Sequence, residues 1–89
     1  MKSLELNELI KDKEYYVYGP KSNTFEKGVY KGSMTGLNAN STYLQFRIKN
    51  DIKSYLDIDN LDKSYFILEI NEANTKLIKI ESMKYYMKN

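Results

Sequence analysis

Hydrophobic residues alternate with polar ones along most of the chain, in short runs that end at turn residues. In the clearest run, Thr42–Lys49, the apolar residues Leu44, Phe46 and Ile48 recur at every second position. This period of two is typical of a strand with one buried face. Comparable runs lie at Glu14–Tyr18, Thr24–Ser33, Lys53–Ile58, Ser64–Ile70 and Thr75–Ile80. The pattern therefore predicts six short strands at a spacing of about ten residues.

Short strands that follow one another through tight turns favour an all-β, mainly antiparallel fold. Gly28 and Gly32 interrupt the second run, and glycine inside a strand indicates a bulge or a sharp bend. A bend of this kind is what a small sheet needs to curl over itself. We therefore expect a small SH3-like barrel of five to six strands.

The two ends of the chain are predicted differently. Ser3 can cap a short helix over Leu4–Asp12, whose apolar residues fall on one stripe. Near the C-terminus Asn74 could cap a second helix, whereas the β-branched residues after it favour a strand. We expect a strand to about residue 81 and a frayed tail over residues 82–89. Because 89 residues build one core, residues 1–89 are expected to form a single domain, with the helix over 1–12 and the barrel over 14–81.

Tyrosine is unusually frequent, with 9 tyrosines against 3 phenylalanines and no tryptophan. Where the strand phases are assigned from the aliphatic residues, tyrosine repeatedly falls on the opposite, solvent-facing phase. Exposed tyrosines could stabilise a small sheet through cross-strand pairs. They could also recognise a protein partner, or stack on nucleobases between nearby lysines. The tyrosines assigned to the solvent phase are Tyr16, Tyr18, Tyr30, Tyr43, Tyr55 and Tyr65.

Several kinds of chemistry lack their usual residues. The chain has no histidine and no cysteine, so the common general bases, thiol nucleophiles and thiolate metal sites are missing. The acidic segment with Asp57, Asp59 and Asp62 lacks the glycine and glutamate of a calcium loop. The loop Gly32–Gly36 lacks the Lys-Ser/Thr ending of a phosphate loop. We predict no enzymatic activity, no cofactor and no metal site.

The remaining expectation is a binding protein. A net charge of +2 is too small to indicate a nucleic-acid partner by itself. No apolar run has the length of a signal peptide or a membrane span, so a cytoplasmic protein without membrane contact is expected. The Lys-, Asn- and Ile-rich composition suggests AT-rich coding DNA, as in low-GC bacteria and their phages.

We predict a non-catalytic module that binds a macromolecule, most simply a protein, and acts as a regulator or inhibitor. The alternatives are a weak nucleic-acid binder and an assembly subunit that self-associates through its tyrosines. The residues predicted to form the binding surface are Tyr16, Tyr18, Tyr30, Lys31, Tyr43 and Arg47.

Overall fold

The computed structural model describes residues 2–36, 41–56 and 65–87. Within them the chain forms a 3-10 helix, five strands and an α-helix. The elements are the 3-10 helix Leu6–Glu8, β1 (Glu14–Gly19), β2 (Thr24–Thr35), β3 (Thr42–Ile48), β4 (Asp51–Leu56), β5 (Phe66–Leu68) and α1 (Glu72–Met87). The first five predicted strands are confirmed with small shifts at their ends, except that residues 57, 58 and 64 lie outside the described part.

The strands form one antiparallel sheet in the order β4-β3-β2-β1-β5. Consecutive strands from β1 to β4 are neighbours, and β5 returns to the far edge beside β1. The antiparallel sheet is therefore confirmed. Among the described residues β4 and β5 do not pair, so the sheet is not closed.

Strand β2 is long enough to pair with β1 along its first half and with β3 along its second half. Its residues from Thr24 to Val29 pair with β1, and those from Val29 to Thr35 pair with β3. The register shifts between Tyr30 and Gly32, and Gly32 has a φ of +111°, which favours glycine. The predicted bulge is thus confirmed at Gly32, whereas Gly28 has a packing role.

Strand β1 carries large apolar or aromatic side chains on both faces. Tyr15 and Val17 point into one cluster of buried residues, while Tyr16 and Tyr18 point into another. Because β1 lies inside the sheet between β2 and β5, and each of its faces is covered, neither face has to be polar. This explains why the run of tyrosines at residues 15–18 does not alternate with polar residues.

The larger cluster, which we call the main core, lies on the face of Tyr15. Gly28 lies against it, and a Cβ atom at Gly28 would come within 3.0 Å of Ile48 Cγ1 and 3.2 Å of Phe46 Cβ. Leu4, Leu6 and Leu9 of the N-terminal segment and Tyr55 of β4 pack against its rim. Its buried members are Tyr15, Val17, Tyr30, Leu44, Phe46, Ile48, Tyr65 and Ile67.

The smaller cluster, the helix-side core, lies between the opposite face of the sheet and α1. It contains Tyr16 and Tyr18 of β1, Leu68 of β5 and Ile78 of α1, with Ile70 against it. The hydroxyl of Tyr16 lies 2.6 Å from Thr75 Oγ1. The contact between Tyr16 and Thr75 and these apolar contacts therefore help to hold α1 on the sheet.

The predicted α-helix over Leu4–Asp12 is not what the structure shows. Only Leu6–Glu8 form a helix, of the 3-10 type. Ser3 does not cap an α-helix: its Oγ accepts a hydrogen bond of 2.8 Å from Ile67 N, and Leu4 N donates to Ile67 O at 2.8 Å. The segment instead covers the outer edge of β5 and extends across the main core, because nine residues gain more from tertiary contacts than from two helical turns.

The predicted strand over Thr75–Ile80 is wrong, because these residues belong to α1. Asn71 Oδ1 accepts a hydrogen bond of 2.8 Å from Asn74 N, which satisfies a free amide of the first turn. β-branched residues cost only a few tenths of a kcal/mol each in a helix, and Ile78 is buried in the helix-side core. The cap and this burial outweigh the strand propensity. The predicted tail is also helical as far as Met87.

Candidate binding surface

Most of the tyrosines predicted to face solvent are buried. Tyr16, Tyr18, Tyr30 and Tyr65 are 5%, 1%, 5% and 6% exposed, so the expectation of an exposed tyrosine face is wrong for them. Alternation fixes which residues share a face, but it does not say whether the second face is also covered. Here α1 covers the sheet face that carries Tyr16 and Tyr18, while Tyr30 and Tyr65 are buried in the main core.

The prediction of which residues of the fourth strand face the core was also wrong. Tyr55 points towards the main core, where its ring lies 4.7 Å from that of Tyr65 and 6.0 Å from that of Phe46 between centroids. Burial raises the pKa of the Tyr55 hydroxyl. Ile52 lies on the other side of the sheet and is 54% exposed. The tyrosines are therefore mainly core residues of this sheet.

Three of the six predicted binding residues remain accessible, and the structure brings two of them together. Lys31 Nζ lies 2.6 Å from Asp12 Oδ1 in an exposed ion pair. The hydrogen bond and charge of Lys31 lower the pKa of Asp12, and the charges of Lys11 and Arg47 act in the same direction. The charges of Lys31 and Arg47 thus both act on the Asp12 carboxylate, whereas Tyr43 lies further along β3.

Part of one sheet face is left uncovered, and we call it the open face. Leu44, Phe46 and Ile48 enter the main core, so the residues between them on β3 point the other way. Residues directly opposite in neighbouring strands share a face, which places Val29 and Ile52 beside Arg47, and Met34 beside Tyr43. The open face consists of Val29, Met34, Tyr43, Gln45, Arg47 and Ile52.

The open face combines apolar and polar groups at its surface. Met34 is 47% exposed and Ile52 is 54% exposed. Gln45 Nε2 lies 3.0 Å from Met34 Sδ, which links the side chains of β2 and β3 across this face. Exposed Arg47 lies between Ile52 and Val29 in the register of the three strands. Ile52 thus lies next to the guanidinium group of Arg47, whereas Met34 lies beside Tyr43 further along the same face.

The sequence prediction missed Met34 and Ile52. Met34 was assigned to a loop, although β2 continues to Thr35. Ile52 falls just before the predicted fourth strand, Lys53–Ile58, although β4 begins at Asp51. The tight turn at Lys49 and Asn50, followed by Ile52 and Ser54 at alternate positions, is the signal that could have placed Ile52 opposite Arg47.

A cleft of about 190 Å³ lies on the opposite side of the sheet, between the β1–β2 turn and the rings of Tyr55 and Tyr65. Lys53 Nζ lies 3.3 Å from Glu26 Oε2 at its wall. This volume is below the range of about 300–1,000 Å³ that is usual for small-molecule sites. The other lining residues are Val17, Gly19, Lys21, Ser22 and Thr24.

In residues 2–36, 41–56 and 65–87 no three His, Cys, Asp or Glu side chains are grouped closely enough to hold a metal ion. The segment with Asp57, Asp59 and Asp62 lies outside the described part. No helix in the described part is long and apolar enough to cross a membrane.

The open face presents two exposed apolar side chains, Met34 and Ile52, and the exposed side chain of Arg47. No protein-family model, no curated protein and no solved structure matches this chain.

Proposed function

We propose that the chain is a small, non-catalytic binding module that recognises a protein partner through the open face. The observation that carries this proposal is the pair Met34 and Ile52, 47% and 54% exposed, on a sheet face that also presents Arg47 and Tyr43. Methionine, tyrosine and arginine are enriched where proteins meet, because they offer large contact areas with adaptable or polar ends.

The charge around the open face indicates the chemistry of the partner. Asp12 pairs with Lys31 alone, while the charges of Lys11 and Arg47 also act on its carboxylate, so this region carries more positive than negative groups. A partner surface with apolar side chains next to carboxylates would complement it, since electrostatic complementarity sets specificity and association rate. The same charges could contact the phosphates of a nucleic acid, an alternative that binding to oligonucleotides would reveal.

The organisation of the sheet supports an SH3-like module. The strand order β4-β3-β2-β1-β5 and the sharing of long β2 between two halves are what such a module would require. The role we propose for it is that of a small cytoplasmic regulator or inhibitor, and the Lys-, Asn- and Ile-rich composition supports a phage or its host as the source. Self-association through exposed tyrosines is not retained, because most of those tyrosines are buried.

The test uses variants that alter the open face without disturbing the core. Proteins captured from cells of the source organism are purified, and their binding to the wild-type chain is measured by calorimetry. Ile52→Ser and Arg47→Ala are each expected to weaken binding by at least about fivefold, or roughly 1 kcal/mol. Their unfolding free energies should change by no more than about 0.5 kcal/mol, because both side chains are exposed.

Lys79→Ala on α1 is the matched control, since Lys79 is exposed and distant in sequence from the open face. It should bind like the wild type. Equal binding by all three variants would show that the open face is not the site. Binding of oligonucleotides that weakens steeply between about 50 and 200 mM salt, with no protein partner, would replace this proposal with nucleic-acid binding.

A further inference from the structure

Helix α1 has a second apolar face that points away from the sheet. Ile80, Met83 and Met87 are 52%, 64% and 81% exposed and follow the spacing i, i+3, i+7. At 3.6 residues per turn their centre lies roughly 170° from Ile78, the residue buried in the helix-side core. We call these three residues the outer stripe. Leu77 and Tyr86, 36% and 70% exposed, flank it on either side.

We propose that the outer stripe is a homodimer interface, in which α1 packs antiparallel against α1 of a second copy of this chain. Apolar residues on both faces of a helix are typical of a helix buried on both faces. From the fractions above, the five side chains expose roughly 600 Å² per copy, close to the ~800 Å² per partner of a standard interface. A second copy of α1 supplies an identical area.

The residues of the outer stripe are spaced so that a twofold axis through Ile80 would bring complementary side chains of the two helices together. Ala73 and Met87 lie seven residues before and after Ile80, which is the spacing of equivalent positions in a coiled coil. In an antiparallel pair centred there, Ile80 meets Ile80 of the second copy, and each Met87 meets the small Ala73. A large residue opposite a small one lets two helices approach closely.

The charges on α1 do not oppose this pairing. Lys76 lies on the same side of α1 as the stripe and pairs with Glu72 at 3.2 Å, while Lys84 on the flank pairs with Glu81 at 3.2 Å, so each of these lysines is balanced by a carboxylate of its own copy. An antiparallel arrangement also places the positive end of each helix dipole beside the negative end of the other. A closed dimer with identical contacts from each copy is the commonest symmetry of soluble oligomers.

The oligomeric state is measured by analytical ultracentrifugation at roughly 200 µM, where a micromolar dimer is largely formed. The wild type should sediment as a dimer, and Met83→Glu as a folded monomer with an unchanged circular dichroism spectrum. Met34→Glu is the matched control, because it makes the same exchange on the open face, and it should remain dimeric. A monomeric wild type, or a dimeric Met83→Glu, would overturn the proposal, as would a monomeric Met34→Glu.

Cysteine cross-linking tests the antiparallel register in a chain that has no cysteine of its own. Ile80→Cys should form a disulfide-linked dimer on mild oxidation. Ala73→Cys should not link to itself but should link to Met87→Cys when the two variants are mixed. Self-linking by Ala73→Cys would mean that the helices run parallel and would refute the proposed register. These outcomes are independent of the open face, so this proposal and the proposed function fail separately.

Discussion

The hydrogen bond between β1 and α1 gives a direct test of how the helix is held. Tyr16 Oη lies 2.6 Å from Thr75 Oγ1, and Thr75 Oγ1 donates to Asn71 O at 2.8 Å. A hydroxyl group has one hydrogen to donate, so Tyr16 must be the donor to Thr75. Replacing Tyr16 by phenylalanine keeps the ring in the helix-side core and removes this donor alone.

The expected loss follows from the usual contribution of one partly buried hydrogen bond, about 1 kcal/mol. For a domain of this size that corresponds to a fall in melting temperature of roughly 4–8 °C. With a urea m-value of about 1 kcal/mol/M, the denaturation midpoint should fall by about 1 M. Both quantities are measured by circular dichroism on the wild type and on Tyr16→Phe.

A double-mutant cycle separates the bond from other effects of the substitution. Thr75→Val removes the acceptor, and with Tyr16→Phe it should show a coupling free energy of about 1 kcal/mol. Tyr86→Phe is the control, because Tyr86 is 70% exposed, and its stability should stay within about 0.5 kcal/mol of the wild type. If the two effects simply add, Tyr16 and Thr75 do not interact, and the described docking of α1 is wrong.

Four further predictions concern a helix cap, core packing and pH. Asn71→Ala removes the cap of α1 and should cost about 1 kcal/mol in chemical denaturation, with loss of helical signal. Gly28→Ala forces a methyl group against the main core and should lower the unfolding free energy by about 1–3 kcal/mol. Because Lys31 lowers the pKa of Asp12, this ion pair contributes to folding stability above the unfolded pKa of about 4, and the contribution is lost as the pH falls. When stability is measured across an acid titration, Lys31→Met should lack this loss. Burial raises the pKa of Tyr18, with the charge of Glu81 adding to it, so stability should fall above pH ~10 and fall less in Tyr18→Phe.

Local signals were enough to predict the strands but not their surroundings. The alternation of Leu44, Phe46 and Ile48 with polar residues predicted β3 correctly, and Gly32 predicted the position of the bulge in β2. Burial of the second face depends on α1, which joins the sheet from far along the chain. Tyr16 and Tyr18 look like surface residues until that helix is known, because nothing near them in sequence encodes it.

The helix itself was obscured by competing local preferences. Thr75, Ile78 and Ile80 favour a strand on propensity, whereas the side chain of Asn71 provides a helix cap. The preference of a β-branched residue is small compared with the burial of Ile78 against β1 and β5, and that burial cannot be read from the sequence. On the open face, Arg47 and Tyr43 were predicted correctly to be accessible, but their apolar neighbours on β2 and β4 could be placed only from the strand register.

The dependence of β1 on a distant helix also affects the order in which this protein becomes complete during its synthesis. The hairpins from β1 to β4 involve neighbouring segments and can form early, whereas α1 leaves the ribosome about 50 residues after β1. At synthesis rates of about 5–20 residues per second, Tyr16 and Tyr18 face solvent for several seconds before α1 is made. During that interval the uncovered face exposes apolar surface on which nascent chains can aggregate. The arrival of α1 therefore ends the period of vulnerability to aggregation.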